Sequence, residues 1–371
     1  MVEPRILLAG GGHSHALALL RWARQRWRGA QVTLVSDTTR APYSGMLPGA
    51  VAGQYRFEDL EIDLERLCAA AGAALVPAQA TGIDRRQRRL LLAGGASLPY
   101  DLLSLNLGAT PRLAARGADQ HATPVKPIAG FRGRWEALLQ RALGRPGRLS
   151  VAVVGAGAAG VELALALQAR LAREQVRVEL FGAAARLLPS RPAGVGRRLA
   201  ALLAQRGIGL HLGQPVVAVD AGGVVTADGG RHPADEVLWV TAAAAAPWLA
   251  GTGLALDTGG FVRVHRTLQS ITDARVFAAG DVAAVDGWAL EKAGVVAVRQ
   301  APVLADNLRR AAAGQALRPW KPQRDWLAIL GTGDGRAIAT RGPLHAEGAW
   351  AWRWKQGIDR RFMRQFQQVL Q

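Results

Sequence analysis

Short apolar runs alternate with amphipathic stretches in the first part of the chain. Residues 5–9 (RILLA) and 31–36 (QVTLVS) have the apolar character of buried parallel strands, and residues 15–27 between them have helical periodicity. Together they predict a strand–helix–strand unit. The same pattern returns between residues 149 and 181, about 145 residues further along, so the chain carries two copies of a module and is not a solenoid.

The remaining elements follow from the same periodicity. Residues 75–105 and 208–240 contain short β-like segments with charged turns. From about residue 316 the chain becomes rich in Trp and Arg. The other predicted elements are a strand at 149–154, a helix at 158–173, a strand at 176–181, a segment leading to a strand at 261–280, a helix near 292–312, strand-like residues at 326–341 and a helix near 356–370.

Length and charge bound the class of protein. The 371 residues suit two or three domains, and half of them are apolar, which is enough for substantial cores. Lys and Arg number 46 against 28 Asp and Glu, a net charge of +18 that favours nucleotides, acidic lipid headgroups or, nonspecifically, nucleic acid. No recognised nucleic-acid motif accompanies the charge, so no specific nucleic-acid partner is expected. An Arg-rich bias on solvated faces is the alternative explanation.

Cysteine, histidine and apolar length exclude further classes. Cys68 is the only cysteine, which rules out internal disulfides and a redox-active cysteine pair and is typical of core packing. The histidines lack zinc-site spacing, so no metal site is predicted. No secretory signal is evident, and the longest apolar stretch is interrupted by Pro247 before it reaches the ~20 residues of a membrane span. We therefore expect a cytoplasmic protein, either free or peripheral on the inner membrane.

The first glycine turn, in LLAGGGHSHALALL, places Gly10 and Gly12 between a strand and a helix. Glycine there permits a tight turn and close approach of the backbone to a pyrophosphate, and the helix N-terminus offers free N–H groups to the phosphates. His15 stands where the G-x-G-x-x-G pattern has its third glycine. An acid that binds ribose hydroxyls is expected at the end of the second strand, where Ser36 and Asp37 stand.

His13 and Ser14 open the helix after this turn, and both are predicted to contact a cofactor. His13 and His15 lie two residues apart, so a helix points them to different faces and a shared metal ion is not expected. Packing or phosphate contact is the predicted role of both histidines.

The second glycine turn, in VAVVGAGAAGVELALAL, has Gly155, Gly157 and Gly160 in register between a strand and a helix. This complete pattern is a strong signal of dinucleotide binding. Gly182 occupies the position of the acid that would bind the ribose of NADH. Arg186 lies nearby, either to meet a 2′-phosphate or as a solvated charge, which leaves NADH and NADPH as alternatives.

A third segment, ARVFAAGDVA, ends a strand at Gly280 and Asp281. Asp281 is suited to accept hydrogen bonds from a ribityl hydroxyl, and a plain helix N-cap is the alternative. The helix predicted after it would direct its positive N-terminus at a flavin ring and stabilise the negative charge of reduced flavin.

These two glycine turns and the FAAGDVA strand resemble the two-dinucleotide flavoproteins with the pyridine nucleotide–disulfide oxidoreductase fold. Without a cysteine pair, the chain looks most like type II NADH dehydrogenases within that superfamily. The segments GGGHSH, APYSGMLPGAVAGQY, KAGVVAVRQAPVLADNL and WRWKQGIDRRFM are similar to a bacterial subgroup whose members are often fused to selenophosphate synthase.

The resemblance implies an α/β fold with two Rossmann-like dinucleotide-binding domains and a small C-terminal α+β region. An FAD-binding domain, residues 1–112 and 261–315, is split by an inserted NAD(P)H-binding domain, residues 113–260. Residues 316–371 form the C-terminal region.

The resemblance also assigns residues to the cofactors. PYSG, residues 42–45, would lie along the flavin or its entrance, with a rigid turn as the alternative. NLGATP and WVTAAAAAPWL match the two crossovers between the domains, the second without its usual glycine. The residues predicted to contact cofactors are Gly10, Gly12, His13, Ser14, Ser36, Asp37, Pro42, Tyr43, Ser44, Gly45, Gly108, Ala109, Thr110, Gly155, Gly157, Gly160, Gly280 and Asp281.

Two residues receive catalytic positions from the resemblance. Glu162 would sit near the nicotinamide, and Lys292 would stand at the edge of the flavin ring. The alternatives are a carboxylate favoured by the dipole of the first helical turn for Glu162 and a solvated charge for Lys292.

The C-terminal segment AWAWRWKQGIDRRFMRQFQQVLQ mixes Trp and Phe with Lys355 and several arginines. Such a segment can lie in a membrane interface, as the C-terminal region of type II dehydrogenases does where quinone enters. A domain-capping strand and helix, or a homodimer contact, is the alternative.

The predicted function is that of an FAD-dependent NAD(P)H oxidoreductase. Hydride passes from NADH or NADPH to FAD, and electrons pass on to a quinone or another acceptor without a redox disulfide. The alternative is a flavin-binding partner or sensor associated with selenium metabolism, with little turnover of its own.

Overall fold

The computed structural model describes residues 3–144, 147–171, 175–323 and 325–369. Numbered in chain order, the strands are β1 (Arg5–Ala9), β2 (Gln31–Ser36), β3 (Arg40–Pro42), β4 (Glu61–Asp63), β5 (Ala74–Pro77), β6 (Ala80–Asp84), β7 (Arg89–Leu92), β8 (Ser97–Pro99), β9 (Leu102–Leu105), β10 (Thr110–Pro111), β11 (Thr123–Pro124), β12 (Leu149–Val154), β13 (Val176–Gly182), β14 (Gly209–Leu212), β15 (Val216–Asp220), β16 (Gly223–Thr226), β17 (Arg231–Pro233), β18 (Glu236–Trp239), β19 (Ala243–Ala244), β20 (Val262–Val264), β21 (Val276–Ala278), β22 (Ala283–Val285), β23 (Ala328–Gly331), β24 (Ala337–Arg341) and β25 (Leu344–Gly348). The α-helices are α1 (His13–Gln25), α2 (Leu47–Val51), α3 (Leu64–Ala71), α4 (Ala118–His121), α5 (Ile128–Gly144), α6 (Ala158–Arg170), α7 (Ala193–Gln205), α8 (Gly294–Ala312) and α9 (Ala349–Gln367). Short 3-10 helices span Ser44–Met46, Phe57–Leu60, Ala93–Gly95, Pro247–Thr252 and Gly280–Val282.

A parallel sheet in the strand order β21-β9-β1-β2-β5 forms the first structural unit. Strands β1 (RILLA) and β9 (LLSL) are buried almost throughout, as expected for strands covered on both faces. Helix α1 packs against α3 and α8. Strand β21 follows the second unit in the chain yet pairs with β9, so the chain returns to its first sheet after an insertion.

The second unit is a parallel sheet in the order β11-β18-β12-β13-β14. Helix α6 joins β12 to β13, and α7 joins β13 to β14, as the repeated strand–helix pattern predicts. An antiparallel meander of β15, β16 and β17 packs on this sheet. Val219 and Val224 of the meander share an apolar layer with Phe181 and Trp239 of the sheet.

The two crossovers between the units lie side by side. Strand β10 pairs antiparallel with β19, with Thr110 opposite Ala244 and Pro111 opposite Ala243. The segments NLGATP and WVTAAAAAPWL therefore form one two-stranded ribbon.

The C-terminal region is an antiparallel sheet, β23-β24-β25, with α9 packed on all three strands. It touches both units, because β23 contacts α6 and the Trp352 ring of α9 lies 5.9 Å from the ring of Tyr55. Among the described residues, none of the helices combines the length and apolar composition that crossing a bilayer requires.

The predicted fold class is confirmed, and the predicted strands at 5–9, 31–36 and 149–154 coincide with β1, β2 and β12. For two predicted helices, the predicted boundary at one end was wrong. Helix α1 stops at Gln25 because Arg26 adopts a left-handed φ of 48°, and α9 begins at Ala349, directly after β25. The strand-like segment 326–341 is divided by a turn into β23 and β24. Part of the predicted helix 158–173 and residues 370–371 lie outside the described residues, and the domain boundaries remain predictions.

The contact between α1 and α8 gives a stability prediction. Trp22 of α1 is 1% exposed, and its Nε1 donates a hydrogen bond to the carbonyl oxygen of Ala305 at 3.4 Å. Trp22→Ala leaves a cavity there, so we expect the free energy of unfolding to fall by about 3–5 kcal/mol in urea denaturation followed by circular dichroism. Trp354→Ala, at a position 47% exposed on α9, is the control, with an expected change below about 0.5 kcal/mol. Equal losses in both variants would contradict this account.

Candidate active site

The first glycine turn leaves no room for side chains. Gly10 has φ +96°, and a Cβ on it would lie 2.5 Å from the carbonyl oxygen of Asn106. A Cβ on Gly12, the N-cap of α1, would lie 2.3 Å from the Asn106 Oδ1. The turn therefore keeps bare backbone at the start of α1, which is the arrangement that a dinucleotide pyrophosphate requires.

Asn106 holds this turn and was missed by sequence reasoning. Its Oδ1 accepts hydrogen bonds from the backbone N–H groups of Ser14 (3.0 Å) and His15 (3.3 Å), and its Nδ2 donates to the Ala279 carbonyl at 2.6 Å. The side chain thus joins the start of α1 to the end of β21. A polar residue directly after the buried run LLSL was the available signal.

His15 stands at the position of the third glycine, and its ring forms two hydrogen bonds there. Its Nδ1 lies 2.7 Å from the Gly10 carbonyl oxygen, which can only accept, so Nδ1 carries the proton. Its Nε2 then accepts from the Ser104 hydroxyl at 2.8 Å. Burial lowers the pKa of His15 to about 4, so the ring is neutral and fills the contact between α1 and the sheet.

His13 and Ser14 differ in what they can offer a ligand. The Nε2 of His13 is buried without a hydrogen-bond partner among the described residues, and its ring lies 5.5 Å from that of Tyr43. A buried nitrogen with no partner at the mouth of the turn fits a site that a ligand completes. The hydroxyl of Ser14 instead donates to the Ala297 carbonyl at 2.8 Å, so this side chain packs α1 against α8.

The other predicted FAD contacts lie at the carboxyl ends of the first sheet's strands. Asp37 is exposed just after β2, whereas Ser36 is buried and its hydroxyl oxygen accepts from the backbone N–H of Thr38. Gly108 has φ +69°, and a Cβ there would meet no atom within 4 Å. Ala109 and Thr110 follow it into β10.

Asp281 and Lys292 lie between β21 and α8. Asp281 belongs to the 3-10 helix Gly280–Val282 and accepts from the Lys126 Nζ at 3.2 Å. Helix α8 begins later and is capped by Ala293, so the N-cap alternative for Asp281 is wrong. The Nζ of Lys292 donates to the Ala283 carbonyl at 2.7 Å and lies 3.8 Å from the Phe261 ring centre.

Burial lowers the pKa of Lys292, but its side chain is partly exposed, so the solvated alternative for this residue stays open. Whether Asp281 and Lys292 contact the cofactor remains a prediction.

The second glycine turn is shaped by its own backbone. A Cβ on Gly155 (φ +124°) would lie 2.4 Å from the Val240 carbonyl oxygen, and one on Gly160 would lie 1.7 Å from the Gly155 carbonyl oxygen. Gly157, the N-cap of α6, differs because a Cβ there would meet no atom within 4 Å. The space beside Gly157 is therefore open to a diphosphate, and the turn fits a second dinucleotide.

The residues at the end of β13 do not decide between NADH and NADPH. A Cβ on Gly182 would lie 2.6 Å from that of Ala156, so the position expected for an acid is closed by packing. The Arg186 guanidinium donates to the carbonyl oxygens of Arg191 (3.0 Å) and Pro189, and it thereby holds the following loop.

A charge cluster, formed by the buried Lys355 and Asp359 and the partly buried Glu162, with Tyr43 and Tyr55 at its edge, lies where the two units and the C-terminal region meet. The Oε1 of Glu162 accepts from the backbone N–H of Gly331 at 2.7 Å. The Lys355 Nζ donates to Asp359 Oδ2 at 2.8 Å and to the Gly45 carbonyl at 2.6 Å. The Tyr55 hydroxyl donates to Asp359 Oδ2 at 3.3 Å.

Burial dominates the protonation of this cluster. It raises the pKa of Glu162 to about 7, against the opposing effect of the nearby Lys355 ammonium. Burial likewise raises the pKa of Asp359, which Lys355 also opposes, and it raises the pKa of both tyrosines. Glu162 is therefore a carboxyl group poised near neutrality.

Sequence reasoning found Glu162 but not its partners. The first turn of α6 carries no acid, so the alternative of a dipole-favoured carboxylate is wrong. Lys355 was predicted to belong to a basic segment that can lie in a membrane interface or cap a domain, and Asp359 received no role, yet both side chains face inward. The signal was the spacing of three or four between the buried positions of α9, namely Ala351, Trp352, Lys355, Asp359, Met363 and Phe366.

Helix α9 also covers the PYSG segment. Phe362 stacks on Tyr43, with ring centres 4.3 Å apart and 25° between planes. Pro42 ends β3, and Ser44 and Gly45 open a 3-10 helix. The segment is thus a turn whose aromatic face and carbonyl are both in contact with α9, and its predicted contact with flavin remains a prediction.

Comparison with known proteins supplies the family. Residues 4–307 match the family model described as pyridine nucleotide-disulphide oxidoreductase. The chain belongs to this family. FAD is the cofactor of these enzymes, and the prediction of an FAD-dependent oxidoreductase that uses NAD(P)H is confirmed at family level.

Two relatives in sequence and one solved structure align with most of the chain. Demethylphylloquinone reductase NdbB of Synechocystis is 26% identical over 356 residues, covering 92% of this chain and 87% of the relative. A type II NADH:quinone oxidoreductase of Staphylococcus epidermidis is 23% identical, covering 90% and 89%. The sulfide:quinone oxidoreductase structure from Aquifex aeolicus superposes with a TM-score of 0.82 at 19% identity, covering 99% and 92%, which shows a shared fold.

The open space beside Gly157 yields a prediction for ligand binding. In Gly157→Ala the methyl group meets no protein atom and occupies the space of the diphosphate. We expect normal FAD content and a KM for NADH and NADPH raised about tenfold, or ~1.4 kcal/mol of binding. Steady-state kinetics and the flavin absorbance measure these. Gly160→Ala is the contrast, because its methyl group clashes with the Gly155 carbonyl and should lower the yield of folded protein. An unchanged KM in Gly157→Ala would refute the assignment.

Proposed function

We propose that the protein oxidises NADH or NADPH and passes the electron pair to a quinone. Membership of the family, the two glycine turns and the names of the full-length relatives support this function. Cys68 is the only cysteine of the chain, and burial raises its pKa to about 12, so no thiolate pair relays electrons here. FAD, when bound, accepts hydride from the nicotinamide and gives the electron pair to the acceptor.

The glycine turns would position the two nucleotides. The start of α1 would bind the FAD diphosphate, with the unpaired His13 Nε2 as a further contact. The start of α6 would bind the NAD(P)H diphosphate beside Gly157. In such a site the protein contributes orientation and electrostatics to the transfer.

The charge cluster would handle the proton. Reduction of a quinone to a quinol by NAD(P)H consumes one proton in addition to the hydride. Partial burial raises the pKa of Glu162 to about 7, which suits an acid that delivers a proton at neutral pH. Lys355 and Asp359 lie in the same cluster and hold α9 against the Gly45 carbonyl. The observation that carries the proposal is the pair of glycine turns in a chain that matches the family over residues 4–307.

A membrane-facing surface would give access to a lipid-soluble quinone. Trp350, Trp354 and Ile358 recur every four residues along α9 and are all exposed, and Leu344 of the preceding strand is 75% exposed. Exposed arginines of the same helix, Arg353, Arg360, Arg361 and Arg364, flank this stripe. Aromatic and basic residues together suit the headgroup region of an anionic bilayer. We assign this surface to peripheral membrane binding; the homodimer contact remains an alternative.

A second interpretation rests on the resemblance to the subgroup often fused to selenophosphate synthase. In it the protein is a flavin-binding partner or sensor in selenium metabolism, with little turnover of its own. The two differ in one measurement without oxygen. If the protein is an oxidoreductase, its flavin absorbance falls within seconds after NADH or NADPH is added. The absorbance returns when a short-chain quinone is added. A flavin that stays oxidised with both nucleotides contradicts the proposed function.

Glu162 generates a pH prediction. Because its folded pKa is raised to about 7, the acid form prevails below that pH and is lost above it. We expect kcat for quinone reduction to fall as pH rises through about 7, and Glu162→Gln to lower kcat about 100-fold and to remove this dependence. Steady-state rates between pH 5.5 and 9 check it.

Flavin reduction by NADH, followed by stopped flow, should keep its wild-type rate in Glu162→Gln. Glu136→Gln, which changes an exposed carboxylate of α5, is the matched control. If Glu162→Gln keeps the wild-type pH profile, Glu162 does not deliver the proton.

The exposed stripe gives a binding prediction. We expect Trp350→Ser with Trp354→Ser to lower the partitioning of the protein onto vesicles of phosphatidylglycerol and phosphatidylcholine by at least about tenfold, since two aromatic anchors are lost. Co-sedimentation measures the partitioning. Leu91→Ser, at an exposed apolar position of β7, is the control. If wild-type protein fails to sediment with these vesicles, the membrane assignment is wrong.

A further inference from the structure

Three side chains that play no part in the glycine turns or the charge cluster meet on the second sheet. Glu179 lies in β13, His211 in the neighbouring β14, and His232 in β17 of the meander that packs on this sheet. One ligand atom from each residue lies within 4.8 Å of the other two. We call these three residues the His–Glu group.

The distances in the His–Glu group suit a shared cation better than direct hydrogen bonds. His211 Nε2 lies 3.4 Å and His232 Nδ1 lies 3.9 Å from the same oxygen, Glu179 Oε2. Both exceed the usual length of an N–H···O bond. Ligand atoms of a tetrahedral zinc ion, at 2.0–2.1 Å from the metal, are about 3.3 Å apart, which is close to the distance between His211 and Glu179 and shorter than the distance between His232 and Glu179.

The surroundings of His232 favour a free Nδ1. The Thr226 hydroxyl donates its single proton to Asp228 Oδ1 at 2.6 Å and lies 3.4 Å from His232 Nε2. With its proton committed, the hydroxyl offers Nε2 only an acceptor, although this contact is as long as the one between His211 and Glu179. The compatible tautomer carries its proton on Nε2 and directs the lone pair of Nδ1 toward the carboxylate. Two electron-rich atoms facing each other are stabilised by a cation between them, and metal-ligating histidines usually donate their other ring N–H to an oxygen acceptor.

Packing fixes the rings in this arrangement. The His211 ring stacks on Phe181 with centres 4.5 Å apart and 7° between planes, and the His232 ring meets His211 edge to face at 4.6 Å. Arg177 pairs with Oε1 of Glu179, the oxygen that does not face the histidines. All three side chains are partly accessible, so an ion and a completing water can enter.

We propose that Glu179, His211 and His232 bind one divalent transition-metal ion of the zinc class. Two imidazoles and one carboxylate select zinc, copper or nickel over magnesium and calcium, which prefer oxygen ligands alone. The ion would tie the meander to β13 and β14 and would have a structural role in the second unit. None of the three residues belongs to the glycine turns or to the charge cluster.

The test is calorimetric titration of the FAD-loaded protein with ZnCl2. We expect one zinc ion per chain with a micromolar or tighter Kd, and an affinity at least about tenfold lower in His211→Gln and in His232→Gln. His265→Gln, at an exposed histidine outside the group, is the control and should bind as wild type does. Zinc should also raise the Tm of wild type and His265→Gln but not of the two ligand variants.

A second variant covers the case in which loss of a ring disturbs the fold. Thr226→Val keeps all three ligands and nearly the same volume, so weaker zinc binding in this variant supports the contact between the Thr226 hydroxyl and His232 Nε2. Circular dichroism of each variant verifies folding. Absence of one-site zinc binding in wild type, or unchanged affinity in both ligand variants, overturns the proposal.

Discussion

One buried ammonium group sets the arrangement of the three regions. The Lys355 Nζ is removed from bulk water and depends on the Gly45 carbonyl and the Asp359 carboxylate for its solvation. A buried charge without such partners costs several kcal/mol, so α9 is held in the one orientation that supplies them. That orientation places Phe362 on Tyr43 and brings the C-terminal sheet to the Glu162 carboxyl group. The protonation of Glu162 and the covering of the PYSG turn both follow from it.

The two glycine turns reach the same backbone path by different means. At α6 the third glycine is required, because a Cβ on Gly160 would collide with the carbonyl of Gly155. At α1 a histidine stands at the equivalent position and binds the Gly10 carbonyl through its ring. The turn that departs from the pattern in sequence thus keeps its geometry through a hydrogen bond, with Asn106 as a second support.

Sequence periodicity predicted the elements that depend on local order. Both strand–helix–strand units and their glycine turns were found this way, because neighbours along the chain build them. The predicted role of Glu162 came instead from the resemblance to a known family. Asn106, Lys355 and the His–Glu group were missed or misassigned. Their partners come from distant segments, and linear spacing carries no trace of a contact that only sheet pairing and helix docking create. For Lys355, charge suggested a surface position, whereas the buried face of α9 decided its place.

The pairing of β10 with β19 limits how the two units can move. A pair of hydrogen-bonded strands bends across its flat face with little resistance, but sliding one strand along the other breaks the bonds that hold them. The register between the two crossovers is therefore fixed as long as this ribbon is intact. A displacement of one unit relative to the other would have to bend this ribbon, because a slide would cost the hydrogen bonds between β10 and β19.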